Sequence, residues 1–415
     1  IFKMINFDKG ESLWNKANSF IPGGNMLLSK NNNLFSPDFW PAYYSRAKGP
    51  YVWDLDGNKY LDFSSNGVGA CSLGHANENV DKAAIEAINN GVMSTLNTPN
   101  EVHLAEYLVS IHPWSSMARF ARSGGEANAV AIRIARCFTG REKIAICGYH
   151  GWHDWYLAAN LSSKDNLKDH LLKGLGSKGV PDSLANTIIP LRYNNFDDLE
   201  LLKNSKDIAA VKMEVVRSNP PKNGYLELIK DICNEKKILL IFDECTSGFR
   251  EHFGGIHLKF KIEPDMCMLG KALGNGYAIS AVLGKEDIML SACDTFISST
   301  FWTEAVGPAA ALATLEEMKD IKSWKILPKI GSQIKKIWSN YSKKYNLPII
   351  VNGIDALPTF IFNCYESNGF KTVFTQSMLK EGFLATTLFY PTVKHEDIHI
   401  KKYDQACDKT FKILS

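Results

Sequence analysis

Asp243 and Lys271 stand 28 positions apart and have the residue types and settings that amine chemistry requires. Lys271 lies in Cys267-Met268-Leu269-Gly270-Lys271-Ala272-Leu273-Gly274-Asn275-Gly276, an apolar run that ends in a glycine-rich turn. A lysine in such a turn is expected to be partly buried, and desolvation there favours the neutral amine. A neutral amine is what condensation with a carbonyl carbon needs. The competing expectation is a lysine whose stem packs while its head reaches water. Asp243 follows Ile238-Leu239-Leu240-Ile241-Phe242, and alone it reads as a helix N-cap or a salt-bridged strand end. Beside a buried lysine a second role opens. A pyridinium nitrogen needs a carboxylate partner, and an aldehyde carbon on the same ring needs the lysine.

Two further clusters bear on this chemistry. Ser123-Gly124-Gly125-Glu126 opens a helix expected to run to about Phe138 and stop at Gly140. Ser123 and Glu126 form a capping box, while the two glycines offer backbone N–H groups to an anion at the helix N-terminus. Tyr149-His150-Gly151-Trp152-His153-Asp154 could be taken for metal ligands, but no third or fourth ligand stands at a recognisable spacing, so no metal is expected. An aromatic such as Tyr149 at a strand end suits stacking on a planar ring, whereas Trp152, His153 and Trp155 read as loop packing.

Strands must bring these residues together. Lys143–Gly148, Ile208–Val216, Ile238–Glu244 and Asp265–Gly270 are apolar runs too short for comfortable helices, separated by helical stretches such as Leu226–Lys237. Strands buried on both faces and alternating with helices make a mainly parallel α/β sheet. Ligands bind beyond the carboxyl ends of such strands, which here are Gly148-Tyr149-His150, Glu214, Asp243-Glu244 and Lys271. Near the start, residues 51–63 alternate around Asp56-Gly57 and predict a hairpin. The last hundred or so residues return to helices (Ala305–Met318, Trp324–Lys344) and isolated strands (Leu347–Val351, Thr359–Asn363), an α+β layer. The longest loops are expected at 31–33 and 162–178.

Composition bounds the function. With 45% hydrophobic and 22% charged residues, the 415-residue chain buries a real core in two domains. A net charge of 47 − 44 = +3 makes no electrostatic case for nucleic acid. The longest apolar stretch, Met266 to Leu283, is broken by Gly270, Lys271, Gly274, Asn275 and Gly276, so no membrane span is expected. Asp8, Lys9 and Glu11 argue against a secretory signal, and nine scattered cysteines without a C-x-x-C pair fit a reducing cytoplasm.

The run Phe242-Asp243-Glu244-Cys245-Thr246-Ser247-Gly248-Phe249-Arg250, followed by Pro264-Asp265 and Leu269-Gly270-Lys271-Ala272-Leu273-Gly274, resembles the class III aminotransferases. Within that family the chain is most similar to the glutamate-1-semialdehyde 2,1-aminomutases. The likeness extends over nearly the whole chain, including Trp53-Asp54-Leu55-Asp56-Gly57-Asn58, Leu73-Gly74-His75, Tyr149-His150-Gly151 and His395-Glu396-Asp397-Ile398. The resemblance implies a fold-type-I transferase using pyridoxal 5′-phosphate. Its large domain, with a mainly parallel sheet, is expected at 66–310, and its small α+β domain at 1–65 and 311–415. It implies that Lys271 forms the internal aldimine and shuttles a proton, and that Asp243 pairs with the pyridine nitrogen. Tyr149 would stack on one face of the ring and Cys245 would contact the other. Gly124 and Gly125 would hold the phosphate, and Thr300 would reach the phosphate of a partner subunit, making a homodimer with shared sites.

The chain departs from the family pattern at its substrate-facing positions. Gly125 replaces a common threonine, Phe301-Trp302-Thr303-Glu304 replaces small residues, and the aminomutase's arginine-bearing segment reads Asn25-Met26-Leu27-Leu28-Ser29-Lys30. Its Ser-Trp pair reads Ser64-Ser65-Asn66-Gly67. Trp302 and Glu304 are therefore expected either to repack a local loop or to face the partner's substrate as an aromatic wall and an acid. The implied activity is amino transfer between an amino donor and a carbonyl acceptor, with intramolecular transfer to 5-aminolevulinate as the alternative. A catalytically idle binding protein on the same fold is the third reading.

Overall fold

The computed structural model describes residues 6–37, 39–163, 166–170, 176–216 and 218–415. The chain divides into two compact units, one made of residues 1–78 and 322–415 and the other of residues 79–321. The first boundary lies beyond the expected 65 because the following turn stays tied to the N-terminal strands. Gly49 bridges to His75, and Asn66 donates to the carbonyl of Tyr390 at 2.7 Å. The second lies beyond 310 because the helix Val306–Ile321 packs on the helix Pro99–Ile111 and on the turn that carries Lys271.

In the unit built from both ends of the chain, strands β1 (Tyr44–Lys48), β2 (Tyr51–Asp54) and β3 (Lys59–Phe63) form an antiparallel meander. The β2–β3 hairpin turns where Asp56-Gly57 predicts it. Asp54 fixes the turn by accepting from the N–H groups of Asp56 (3.0 Å) and Asn58 (2.8 Å). The loop expected at 31–33 instead holds two short 3-10 turns, Leu28–Lys30 and Asn32–Leu34.

The other unit holds seven strands: β4 (Met117–Ala121), β5 (Lys143–Cys147), β6 (Ile188–Pro190), β7 (Ile208–Met213), β8 (Leu239–Asp243), β9 (Met266–Leu269) and β10 (Ser280–Gly284). Their order is β4-β10-β9-β8-β7-β5-β6. Strands β6, β5, β7, β8 and β9 run parallel, and β10 is antiparallel to both its neighbours. Every residue of β7, β8 and β9 is buried, which is why these strands read as apolar runs, with Lys212 in β7 and the terminal Asp243 of β8 as the charged exceptions. The helix Gly124–Thr139 packs its Ala127, Ala131 and Ile134 into the same core as Ile241 and Met268. It starts on the capping box of Ser123 and Glu126 and ends at Gly140, whose φ of 64° is the left-handed stop expected there. Of the loop expected at 162–178, residues 164, 165 and 171–175 lie outside the described residues, and Lys168–His170 forms a 3-10 turn.

The remaining strands, β11 (Ile349–Asn352), β12 (Thr359–Phe362) and β13 (Phe383–Ala385), belong to the first unit. There β13 joins β3 in parallel, and β11 pairs with β12. Its core joins Phe63, Trp338, Phe360, Phe374 and Phe411. No helix among the described residues is long and apolar enough to cross a membrane.

Candidate active site

Because β5, β7, β8 and β9 are parallel, their carboxyl ends lie on one edge of the sheet. Asp243 is the last residue of β8, Lys271 follows β9 by two residues, and Tyr149-His150 follows β5. Cys245 ties three of these pieces together. Its N–H donates to Asp243 Oδ1 at 3.1 Å. Its sulfur stands 3.3 Å from the place a side chain at Gly124 would begin and 3.4 Å from the same place at Gly270. The helix start, the acid and the lysine-bearing turn therefore meet around one small thiol. A larger residue at Gly124 or Gly270 would push them apart.

Lys271 is partly buried, and its Nζ donates to Thr246 Oγ1 at 3.0 Å. Its backbone sits at φ 44°, in the left-handed region that a residue with a Cβ enters at a cost of roughly 1–3 kcal/mol. The tight 3-10 turn Lys271–Gly274 imposes that conformation as it breaks from β9.

Asp243 is 3% exposed. Its Oδ2 accepts from His150 Nδ1 at 2.9 Å, and Lys212 Nζ stands 3.8 Å from the same oxygen. Burial alone would raise this carboxyl. The Lys212 charge, the His150 hydrogen bond and the Cys245 N–H outweigh it and hold Asp243 well below the usual carboxylate range. Burial pushes the His150 imidazole down against the pull of Asp243, so His150 is the neutral donor of the pair. Neither His150 nor Lys212 was assigned to Asp243 from the sequence. The signal for Lys212 was a lone lysine in Ala209-Ala210-Val211-Lys212-Met213, two residues before Glu214. Strand alternation puts it on the face of its register partner Ile241, and hence of Asp243.

Glu244, one residue on, belongs to a different cluster. Its carboxylate accepts from His257 Nδ1 (2.6 Å), His257 N (2.7 Å), Ser247 Oγ (2.7 Å) and Ile256 N (2.9 Å). His257 Nε2 in turn accepts from Trp114 Nε1 at 3.0 Å, which fixes the tautomer. The other strand-end acid, Glu214, accepts from Tyr149 N at 3.1 Å. Tyr149 is partly buried, its ring edge-on to Tyr156 at 5.9 Å.

At the helix start, the capping box uses the N–H groups of Arg122, Ser123 and Glu126 and does not use those of Gly124 and Gly125. The His153 ring explains why residue 125 is a glycine. A Cβ there would lie 2.8 Å from His153 Cε1, so a threonine has no room. Trp152 is 69% exposed and stacks on His153 at 4.6 Å. Among the described residues, no group of three or more His, Cys, Asp or Glu side chains could hold a metal ion.

Thr300 is exposed, at the start of the 3-10 turn Thr300–Thr303. Trp302 and Glu304 do not stand free toward a partner. The Trp302 side chain packs against its own unit's core, next to Ile297. Glu304 pairs with Arg122 Nε at 2.9 Å and accepts from Val306 N (2.7 Å) and Gly307 N (2.9 Å), capping the helix Val306–Ile321. A carboxylate already neutralised by an arginine and two helix N–H groups has little charge left to repel a substrate. Both residues therefore have contacts within their own unit, the arrangement that the local-repacking alternative expects.

A strained lysine and an ionised buried acid thus stand at adjacent strand ends, beside a helix start, on an α/β sheet of fold type I. The chain matches the aminotransferase class-III family over residues 36–406 and belongs to it. It is similar to the 3-aminobutyryl-CoA aminotransferase of Cloacimonas acidaminovorans, with 32% identity over 90% of this chain and 88% of that one. It is also similar to the glutamate-1-semialdehyde 2,1-aminomutase of Methanothrix thermoacetophila, with 33% identity over 99% of this chain and 97% of that one. Among solved structures, the pyridoxal-phosphate internal aldimine form of the FumI protein of Sphingopyxis sp. MTA144 has a TM-score of 0.87 at 24% identity, covering 98% of this chain and 96% of that one. That last likeness bears on the fold alone.

Proposed function

We propose that the protein is a pyridoxal 5′-phosphate-dependent aminotransferase that moves an amino group between an amino donor and a carbonyl acceptor. The observation that carries this reading is the buried, ionised Asp243 at the end of β8, one α/β unit before Lys271. When bound, the cofactor supplies an electron sink and a carbonyl that accepts and returns the amino group. The residues present fit it. Asp243 would hold the ring nitrogen protonated, with His150 orienting Asp243. Tyr149 and Cys245 would contact the ring. The N–H groups of Gly124 and Gly125 would bind the phosphate at the helix N-terminus. Lys271 would supply the amine for the aldehyde carbon and serve as the proton carrier at the site.

Thr300 of a second copy completes the phosphate site in a homodimer. Its own exposure supports that reading, as do the exposed Phe296 (82%) and Phe301 (67%) nearby in sequence. All nine cysteines are free, which supports a cytoplasmic location.

Aminomutase relatives that align with 99% of this chain favour a second reading, intramolecular amino transfer. The two readings part in a half-reaction. Cofactor-loaded enzyme given an amino donor alone should release a stoichiometric keto product and lose its aldehyde-form absorbance, then regain it with an acceptor. Conversion of glutamate-1-semialdehyde to 5-aminolevulinate with no external donor would select the mutase. Failure of both would reject amino transfer.

A further inference from the structure

Lys212 is the next-to-last residue of the buried strand Ile208–Met213, with 0% of its surface exposed. A desolvated ammonium needs a counter-charge, and an apolar residue would fill this strand position at lower cost. Its Nζ stands 3.8 Å from Asp243 Oδ2 and 3.8 Å from Met268 Sδ. At that separation Lys212 shares no hydrogen bond with Asp243, whose Oδ2 is already taken by His150 at 2.9 Å. Its effect on the carboxylate is therefore that of a fixed charge.

The other titratable groups near Lys212 are two thiols, a histidine and a second acid. Cys245 after β8 and Cys267 on β9 are buried thiols whose pKa values burial pushes well up, so they stay neutral. His150, beyond β5, is the neutral donor to Asp243. Glu214, at the end of the same strand, is the second anion near Lys212, and its Oε2 accepts from Tyr149 N. Burial lowers the Lys212 pKa, and Asp243, the anion 3.8 Å away, pulls against that fall.

We propose that Lys212 is a positioning residue that acts through Asp243: its buried ammonium offsets part of the negative charge that Asp243 presents to the cofactor's ring nitrogen, and so limits how tightly the site holds a proton there. The inference rests on the reading of Asp243 as the ring nitrogen's partner. A weaker hold on that proton moderates the electron sink, which makes Lys212 a control on the cofactor's electronics from beneath the site. A nearby like charge disfavours the charged form of a titrating group, so removing the Lys212 ammonium should strengthen proton binding at the ring nitrogen by roughly tenfold.

The test compares two cofactors on the stripped full-length protein: pyridoxal 5′-phosphate and the analogue whose ring nitrogen is replaced by C–H. The ratio of their Kd values reads how strongly the site favours a protonated nitrogen. In Lys212→Met the preference for the natural cofactor should rise about tenfold or more. Affinity for the analogue should change by less than about threefold, which also shows that the variant is folded. In an Asp243→Asn background the same change should leave the ratio unmoved, and Lys212→Arg should restore the wild-type ratio. An unchanged ratio in Lys212→Met, or a rise that persists without Asp243, would overturn the inference. Loss of affinity for both compounds in Lys212→Met and Lys212→Gln alike would also overturn it, leaving Lys212 a purely structural residue. If the wild type itself shows no preference, the reading of Asp243 falls first and this inference with it.

Discussion

Asp243 and Glu244 are adjacent acids, both buried and each bonded to a histidine, yet the surroundings of one suit chemistry and those of the other suit architecture. A carboxylate has about four lone-pair sites. Glu244 fills all four within the protein, from His257 twice, Ser247 and Ile256. Asp243 takes a hydrogen bond from His150 and one from Cys245, which leaves acceptor capacity at the strand end. Burial and a histidine partner therefore do not mark a functional acid. Unused hydrogen-bonding capacity on the ligand edge of the sheet does.

The comparison breaks most visibly in activity. Asp243→Asn keeps the shape and removes the charge, and kcat per folded molecule should fall roughly 10²–10³-fold, as for loss of a preorganised electrostatic group. Near-normal turnover would mean that another acid serves the ring. Glu244→Gln should show the converse. It replaces a four-bonded buried anion, so thermal melting should drop by roughly 5–10 °C, for about 2–3 kcal/mol, while kcat per folded molecule holds. A large kcat loss at unchanged Tm would erase the distinction between the two acids.

Acid titration sharpens the same contrast. Burial would raise the Glu244 carboxyl, but the hydrogen bonds from the His257 ring and from the His257 and Ile256 N–H groups lower it below its ordinary value. A depressed carboxylate contributes stability that is present above its unfolded pKa, near ~4, and is lost as pH falls through the folded value. Melting of the wild type should therefore owe nothing to Glu244 titration between about pH 5 and pH 8. The gap between wild type and Glu244→Gln should narrow below about pH 4. A gap that widens in acid would contradict the sign.

The smallest effect belongs to Glu304. With its carboxylate committed to Arg122 and to the start of the helix Val306–Ile321, Glu304→Gln should cost about 1–2 kcal/mol of stability. The ranking of acceptor substrates should not change, and a changed ranking between charged and neutral acceptors would restore Glu304 to the substrate shell.

How much of this was legible in the sequence depended on whether the signal was local. The strand ends could be read because apolar runs stop where parallel strands stop, and the capping box of Ser123 and Glu126 is a contiguous motif. Strand β10 was missed because Tyr277-Ala278-Ile279-Ser280-Ala281 follows the Lys271 turn without a polar break. His150 and Lys212 could not be joined to Asp243, since they come from strands 93 and 31 positions away in sequence and only the sheet register brings them to one carboxylate. The two alternatives for Glu304 could not be weighed for the same reason: its arginine lies 182 positions earlier, on the strand side of the Gly124 helix.

The central claim is that Lys271 is the amine of a pyridoxal-phosphate site. Cofactor-loaded wild-type protein should be reduced with borohydride, digested and mapped by peptide mass. The account predicts one pyridoxyl group per chain, on Lys271, absent from Lys271→Ala. A label on another lysine such as Lys212, or no label on a protein that binds the cofactor, would contradict it.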